Sequence, residues 1–306
     1  MLGTVYKSTG SWYLIRDEEN NFRNIRLRGK LKIEDGVSST NPIAVGDRVK
    51  FTLEDQESGV ITEVLPRDNY IIRESPHNRN QRHVVAANID RLLIIGTITS
   101  PRTSQGFIDR ILITAEMYHI PTLVLINKID LLQAKHEKQL QDWKKMYEAA
   151  GYAVYPVSAL SVIDIEQLKK ELQGKTTLLM GHSGSGKSTI INQLIPGLKI
   201  RTADISRSSG KGQHTTTFAT MYDLPDGGRI IDTPGMKEFG LMDIEKSELA
   251  HYFPEIRTLI SGCRFHNCLH ADEPDCAVKQ AIEDGKLSMD RYLSYRMILD
   301  SLAEKW

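Results

Sequence analysis

The chain is 306 residues long, which leaves room for two or three domains and a sizeable core. Its 39 Lys and Arg are balanced by 39 Asp and Glu, so no global charge points to nucleic acid, and any such surface must be a local patch. The opening residues have no apolar stretch of signal-peptide length, no run reaches the ~20 apolar residues of a membrane span, and the 3 cysteines do not make a disulfide framework; a cytoplasmic chain whose cysteines serve metal or chemistry is expected.

Residues 2 to about 67 predict an all-β unit. Short runs rich in β-branched and aromatic residues (Thr4–Lys7, Ser11–Ile15, Val49–Leu53, Gly59–Val64) are separated by turn signals. About five such strands in so short a stretch suggest a small barrel of the OB type. Between Asn20 and Lys32 stand Arg23, Arg26, Arg28, Lys30 and Lys32 with no acid among them, and Phe22, Trp12 and Tyr13 lie nearby. Basic and aromatic residues together suit a groove for single-stranded nucleic acid. A strand edge guarded by charge would look the same. From Pro66 to Asn88 the composition turns polar and basic, with Arg67, Arg73, Arg79, Arg82, His77 and His83, and predicts a linker.

A βα alternation then begins. Strands are expected at Ile89–Ile98, Thr122–Ile126, Tyr152–Val157 and Thr177–Met180, with helices at Gly106–His119, Glu137–Ala150, Ile163–Leu172 and from Thr189. This pattern means a parallel, doubly wound sheet with ligands at the strand C-termini. After the last of these strands comes GHSGSGKST: Gly181, His182, Ser183, Gly184, Ser185, Gly186, Lys187, Ser188 and Thr189. Strand, glycine-rich loop and helix in that order are the setting of a phosphate-binding loop. Its glycines let backbone N–H groups face a phosphate chain, Lys187 reaches the outer phosphates, and the Ser188 hydroxyl ligates Mg²⁺.

Two further motifs choose the base. Asn127-Lys128-Ile129-Asp130 follows the second strand, and the Asp130 carboxylate can accept both donors on the guanine edge, a pair that adenine lacks. Ser158-Ala159-Leu160 follows the third strand and can offer a backbone N–H to the guanine carbonyl. Beyond the phosphate loop, Asp232-Thr233-Pro234-Gly235 ends another strand; Asp232 would hold Mg²⁺ through water and the Gly235 N–H would sense the γ-phosphate.

These motifs resemble those of translation-factor-like GTPases in a permuted order, with NKID and SAL ahead of the phosphate loop. Permutation is allowed because domain termini commonly meet at the surface. With the barrel before and a Cys/His cluster after, the whole chain resembles the ribosome small subunit-dependent GTPases (the RsgA, YjeQ or YloQ family). The resemblance implies binding to the small (30S) ribosomal subunit and its 16S rRNA, a part in late subunit maturation, stimulation of hydrolysis by the subunit, and a monomer. It also marks Gly210–Thr217 as a first switch loop, in which Thr216 completes the Mg²⁺ shell. Met236 stands where many GTPases have a water-orienting glutamine, so slow hydrolysis without a partner is expected, and His214 is the candidate to position the water.

Cys263-x4-Cys268-x-His270-x5-Cys276 gathers every cysteine of the chain with one histidine. Three thiolates and an imidazole suit a closed, structural Zn²⁺ site. Two helices follow, 277–283 and 288–304. The expected architecture is therefore multidomain: an OB-fold RNA-binding domain (1–68), a basic linker (69–88), a circularly permuted α/β P-loop GTPase domain (89–240) and a mostly α zinc-binding module (241–306). The competing readings are a P-loop small-molecule kinase and a slow GTP-binding RNA scaffold.

Overall fold

A computed structural model of the chain describes residues 1–27, 41–55, 58–74, 82–200, 219–233, 241 and 244–302. Strands β1 (Leu2–Ser8), β2 (Trp12–Asp17), β3 (Phe22–Leu27), β4 (Arg48–Leu53) and β5 (Ser58–Val64) form the N-terminal barrel. Their order is β1-β2-β3-β5-β4, with β4 returning to β1; β3 and β5 run parallel and the other pairs antiparallel. Closure removes the exposed edges that a five-stranded sheet would leave. Alternate residues point inward, and Val5, Tyr13, Ile15, Ile25, Val49, Phe51 and Ile61 make the barrel core. Tyr13 therefore belongs to the core and not to the aromatic groove expected of it. The basic run is also partly neutralised: Arg23 pairs with Asp17, and Arg26 with Glu54 at 2.9 Å. Arg28, Lys30 and Lys32 lie outside the described residues.

The segment expected as a linker contains an antiparallel pair, β6 (Tyr70–Glu74) and β7 (Arg82–Ala87). Ile71, Ile72, Val84, Val85 and Ala86 are buried, and several join the core beneath the neighbouring sheet. Burial in β7 does not alternate: Arg82 and His83 are half-buried at its start and residues 84–87 are buried in a row, so the polar character of the segment lies outside the paired apolar stretch. Gly46, at φ +93°, lets the turn before β4 meet this pair, since any Cβ there would overlap the Ala87 carbonyl. A bidentate ion pair between Asp47 and Arg67, both fully buried, fixes the same corner.

The central sheet consists of β8 (Arg91–Thr97), β9 (Thr122–Asn127), β10 (Ala153–Val157), β11 (Thr176–Gly181), β12 (Thr220–Asp223) and β13 (Arg229–Asp232). Its order is β10-β9-β8-β11-β13-β12, parallel except for β12. Helices α1 (Gln105–Met117) and α2 (Ala134–Ala149) cover one face, packing on Leu92, Ile94, Val124 and Ile126. Helices α3 (Val162–Leu172) and α4 (Lys187–Leu194) cover the other, on Leu93, Ile95, Leu123 and Leu125. Both faces being covered explains why these strands read as unbroken apolar runs. The chain turns back between β10 and β11, which makes the crevice beside β8 and β11 the switch point where ligands bind.

Edge strand β12, which the sequence did not suggest, pairs with β1 at Lys7 and Thr220 and so joins barrel and sheet. Tyr6 and Arg16 of the barrel both reach the Asp223 carboxylate at 2.7 Å. At the other end, α5 (Pro254–Arg257), α6 (Ala277–Glu283) and α7 (Met289–Ser301) form a small module around Leu249, Phe253, Ile256, Val278, Tyr295 and Ile298, with Ile113 of α1 inserted. Among the described residues no helix is long and apolar enough to cross a membrane.

Candidate active site and metal centre

The described nucleotide motifs arrive at one edge, the C-terminal ends of β9, β10, β11 and β13. The phosphate loop runs from β11 into α4. Gly186 sits at φ +101° at the helix start, with Asn127 so close that a side chain at 186 would overlap its amide. Lys187 is buried, and its ammonium donates to the carbonyls of Gly181 at 2.8 Å and His182 at 2.9 Å. Burial pushes its pKa down to about 8, against the opposing pull of Asp232. A buried ammonium held only by carbonyls at a helix N-terminus fits an anion there. Ser188 and Thr189 occupy the first turn of α4, and the Asp232 side chain is buried at the end of β13.

Asn127 ties three segments together. Its amide donates to the Ser185 carbonyl at 2.9 Å, and its carbonyl accepts the Ala159 N–H at 3.1 Å. Lys128 adopts a left-handed backbone (φ +65°) and donates to the Ser100 carbonyl at 2.7 Å. Asp130 accepts the Ser158 hydroxyl at 2.6 Å and leaves the rest of its carboxylate exposed. The expected free N–H in the Ser-Ala-Leu turn is not free: Ser158 N–H donates to Asp164 at 2.8 Å and Leu160 N–H to the Ser158 hydroxyl. A guanine carbonyl would share the longer Ala159 bond.

Two residues of this site escaped the sequence reading. Asp164 holds the Ser158 backbone, and through it the hydroxyl that orients Asp130. Ser161-x-x-Asp164 is a helix-start signature that could have revealed it; Ser161 caps α3 by accepting the Asp164 N–H. Phe107 stacks on the phosphate-loop His182 with ring centroids 3.8 Å apart. In sequence Phe107 is only another apolar residue at helical spacing. Gly235, Thr216 and His214 lie outside the described residues, as does Met236.

The four ligands of the C-terminal cluster all come within 4.8 Å of one another. A tetrahedral ion with sulfur at ~2.3 Å and nitrogen at ~2.05 Å spaces its ligands about 3.8 Å (S to S) and about 3.6 Å (S to N) apart. Here Cys263 and Cys276 Sγ lie 3.9 Å apart, and His270 Nδ1 is 3.5 Å from each. Burial holds the His270 imidazole neutral, the form that ligates, and pushes the Cys268 thiol up to about 12 with the other two sulfurs beside it. Crowded thiols of this kind fit a cation that takes up their charge. Tyr292 and Tyr295 donate to the carbonyls of His270 and Leu269, which fixes the loop.

The comparisons with known proteins cover the chain from end to end. The model of the RsgA GTPase family matches residues 64–242, and that of the RsgA N-terminal domain matches 2–61. A protein of Christiangramia forsetii named small ribosomal subunit biogenesis GTPase RsgA is 45% identical over 303 residues, covering 98% of this chain and 96% of its own. One of the same name from Bacteroides fragilis is 43% identical over 304 residues, with 99% and 98% covered. Among solved structures, YjeQ from Thermotoga maritima superposes with a TM-score of 0.79 at 33% identity, covering 100% of this chain and 99% of that one. YloQ, described as a circularly permuted GTPase, gives 0.73 at 28% identity, with 100% and 96% covered.

Proposed function

The chain belongs to the RsgA GTPase family and is a GTP hydrolase, and from that premise we propose that it serves the late maturation of the small ribosomal subunit, as a switch whose hydrolysis the subunit stimulates. The names of its relatives support the subunit as partner. The observation that carries the residue assignments is the double bond of Asn127, which locks the base-reading turn to the phosphate loop.

In this reading Gly181–Thr189 hold the phosphates, with Lys187 leaving its carbonyl partners for the β- and γ-phosphates. Bound Mg²⁺, which GTPases of this class use, would supply charge neutralisation at the phosphoryl oxygens. Ser188 and Asp232 of this chain would hold it, with Thr216 of the switch loop. Asn127, Lys128, Asp130, Ser158 and Ala159 hold the guanine, and Gly235 reports the γ-phosphate. His214, or a group supplied by the subunit, orients the attacking water. A partner-supplied group is worth roughly 10³–10⁵ in rate in related switches.

Cys263, Cys268, His270 and Cys276 would hold Zn²⁺ with four protein ligands, and its contribution would be structural. The chain divides into an OB barrel (1–68), a linker (69–88), a GTPase core (89–240) and a zinc module (241–306); the separate cores of the barrel and of the C-terminal helices support the first and last of these. Exposed Trp12 and Phe22 on the barrel support contact with 16S rRNA. The protein acts in the cytoplasm as a monomer. Competition of unlabelled nucleotides against labelled GTP tests the base assignment: GDP displaces it and ATP does not. Displacement by ATP at equal concentration would refute it.

A further inference from the structure

The turn that grips the base carries an unusual outer surface. Leu160, Val162 and Ile163 are 72, 76 and 80% exposed, the highest values of any large apolar side chain among the described residues. Leu131, on the turn beside Asp130, is 54% exposed. Apolar side chains grouped in this way mark a contact surface more often than a bare loop.

Between the two turns runs a groove of about 700 Å³, walled by Asp130, Glu137 and Asp164 with Leu132 and Leu140. No Lys or Arg lines it. Asp130 serves the base in the reading above and lies near the Lys128 ammonium, which donates to the Ser100 carbonyl. The other two carboxylates, Glu137 and Asp164, accept among the described residues from neutral donors only, the Gln141 amide and the Ser158 N–H. Carboxylates without a paired cation repel a phosphate backbone and attract ammonium and guanidinium groups. Nucleic acid is thereby disfavoured on this face, in contrast to the barrel.

We propose that this face seats a protein segment of the small subunit, one in which lysine or arginine side chains enter the acidic groove while apolar side chains cover Leu160, Val162 and Ile163. The proposal rests on the subunit reading above. Charge complementarity chooses the occupant, and the apolar rim supplies the area that ion pairs alone do not.

The test uses the full chain with a non-hydrolysable GTP analogue and purified small subunits. Co-sedimentation of the unmodified chain is measured first; its absence would remove the subunit reading and this one with it. The photoreactive variant Ile163→p-benzoylphenylalanine is then irradiated in the complex. A cross-link that resists ribonuclease and is digested by protease is expected. A cross-link to RNA, or none from a co-sedimenting complex, would overturn the proposal. Glu137→Lys, an exposed change on α2, gives an independent reading: affinity for the subunit should fall about threefold or more. Unchanged or tighter binding would mean that no cationic partner sits there.

Discussion

Arg291 is a severe test of how the C-terminal module is fastened to the GTPase core. It lies on α7 with its side chain 2% exposed, and it bonds Asp109 of α1 and, at 2.5 Å, Glu255 of α5. Its guanidinium also stands 4.7 Å from the Phe253 ring and 5.6 Å from that of Tyr147. Burial alone would weaken the charge, but the two carboxylates outweigh it and hold Arg291 firmly protonated. Arg291→Met keeps most of the volume and leaves Asp109, which is fully buried, without a cation. Stranding one partner of a buried pair costs about 3–5 kcal/mol. The module should therefore unfold at a lower urea concentration than the GTPase core, splitting the transition. Amide exchange of 277–300 would rise before that of β8 and β11. Replacing Asp109 and Glu255 by apolar residues in the same chain should recover most of the stability. A loss below about 1 kcal/mol, the scale of a surface pair, would refute the reasoning and mean that Arg291 is solvated.

The site makes three further predictions. Asp130→Asn exchanges an acceptor for a donor, so affinity for GTP should fall roughly tenfold to a hundredfold while xanthosine triphosphate binds better than in the parent, measured by competition. Asp164→Ala should weaken GTP about tenfold and inosine triphosphate less, since inosine presents only one of the two donors that the oriented Asp130 carboxylate accepts; Asp164→Asn, which still accepts the Ser158 N–H, should restore the ratio. Equal losses for both nucleotides would reduce Asp164 to a structural role. If the cluster holds Zn²⁺ as proposed, a chelator, or Cys263→Ser, should loosen 263–276 in hydrogen exchange while GTP affinity stays within about twofold, since the cluster belongs to the C-terminal module and not to the strand ends that carry the nucleotide motifs.

What the sequence made legible was local. The strand–loop–helix at Thr176–Leu194, the NKID and SAL turns and the cysteine spacing are each fixed by residues close in the chain. The parallel sheet followed from apolar runs such as Leu92–Ile95, buried on both faces. What stayed hidden was pairing across distance. Lys7 meets Thr220, Arg291 meets Asp109, and Phe107 meets His182, and nothing in either partner's neighbourhood announces the other. The β6–β7 pair was misread for a related reason. Its buried Ile71, Ile72, Val84 and Val85 stand beside Arg73, Arg82 and His83, so average polarity concealed two short strands. Tyr13 erred the opposite way, an aromatic beside a basic run whose alternate position turns it into the barrel core.

GTP turnover by the full chain, with and without purified small ribosomal subunits and at low and moderate salt, tests the central claim most directly. Slow turnover alone, strong stimulation by the subunit, and stimulation that fades as salt rises are predicted, since phosphate contacts would hold the complex. Unchanged turnover in the presence of subunits, with GTP still tightly bound, would contradict the account of a subunit-activated switch.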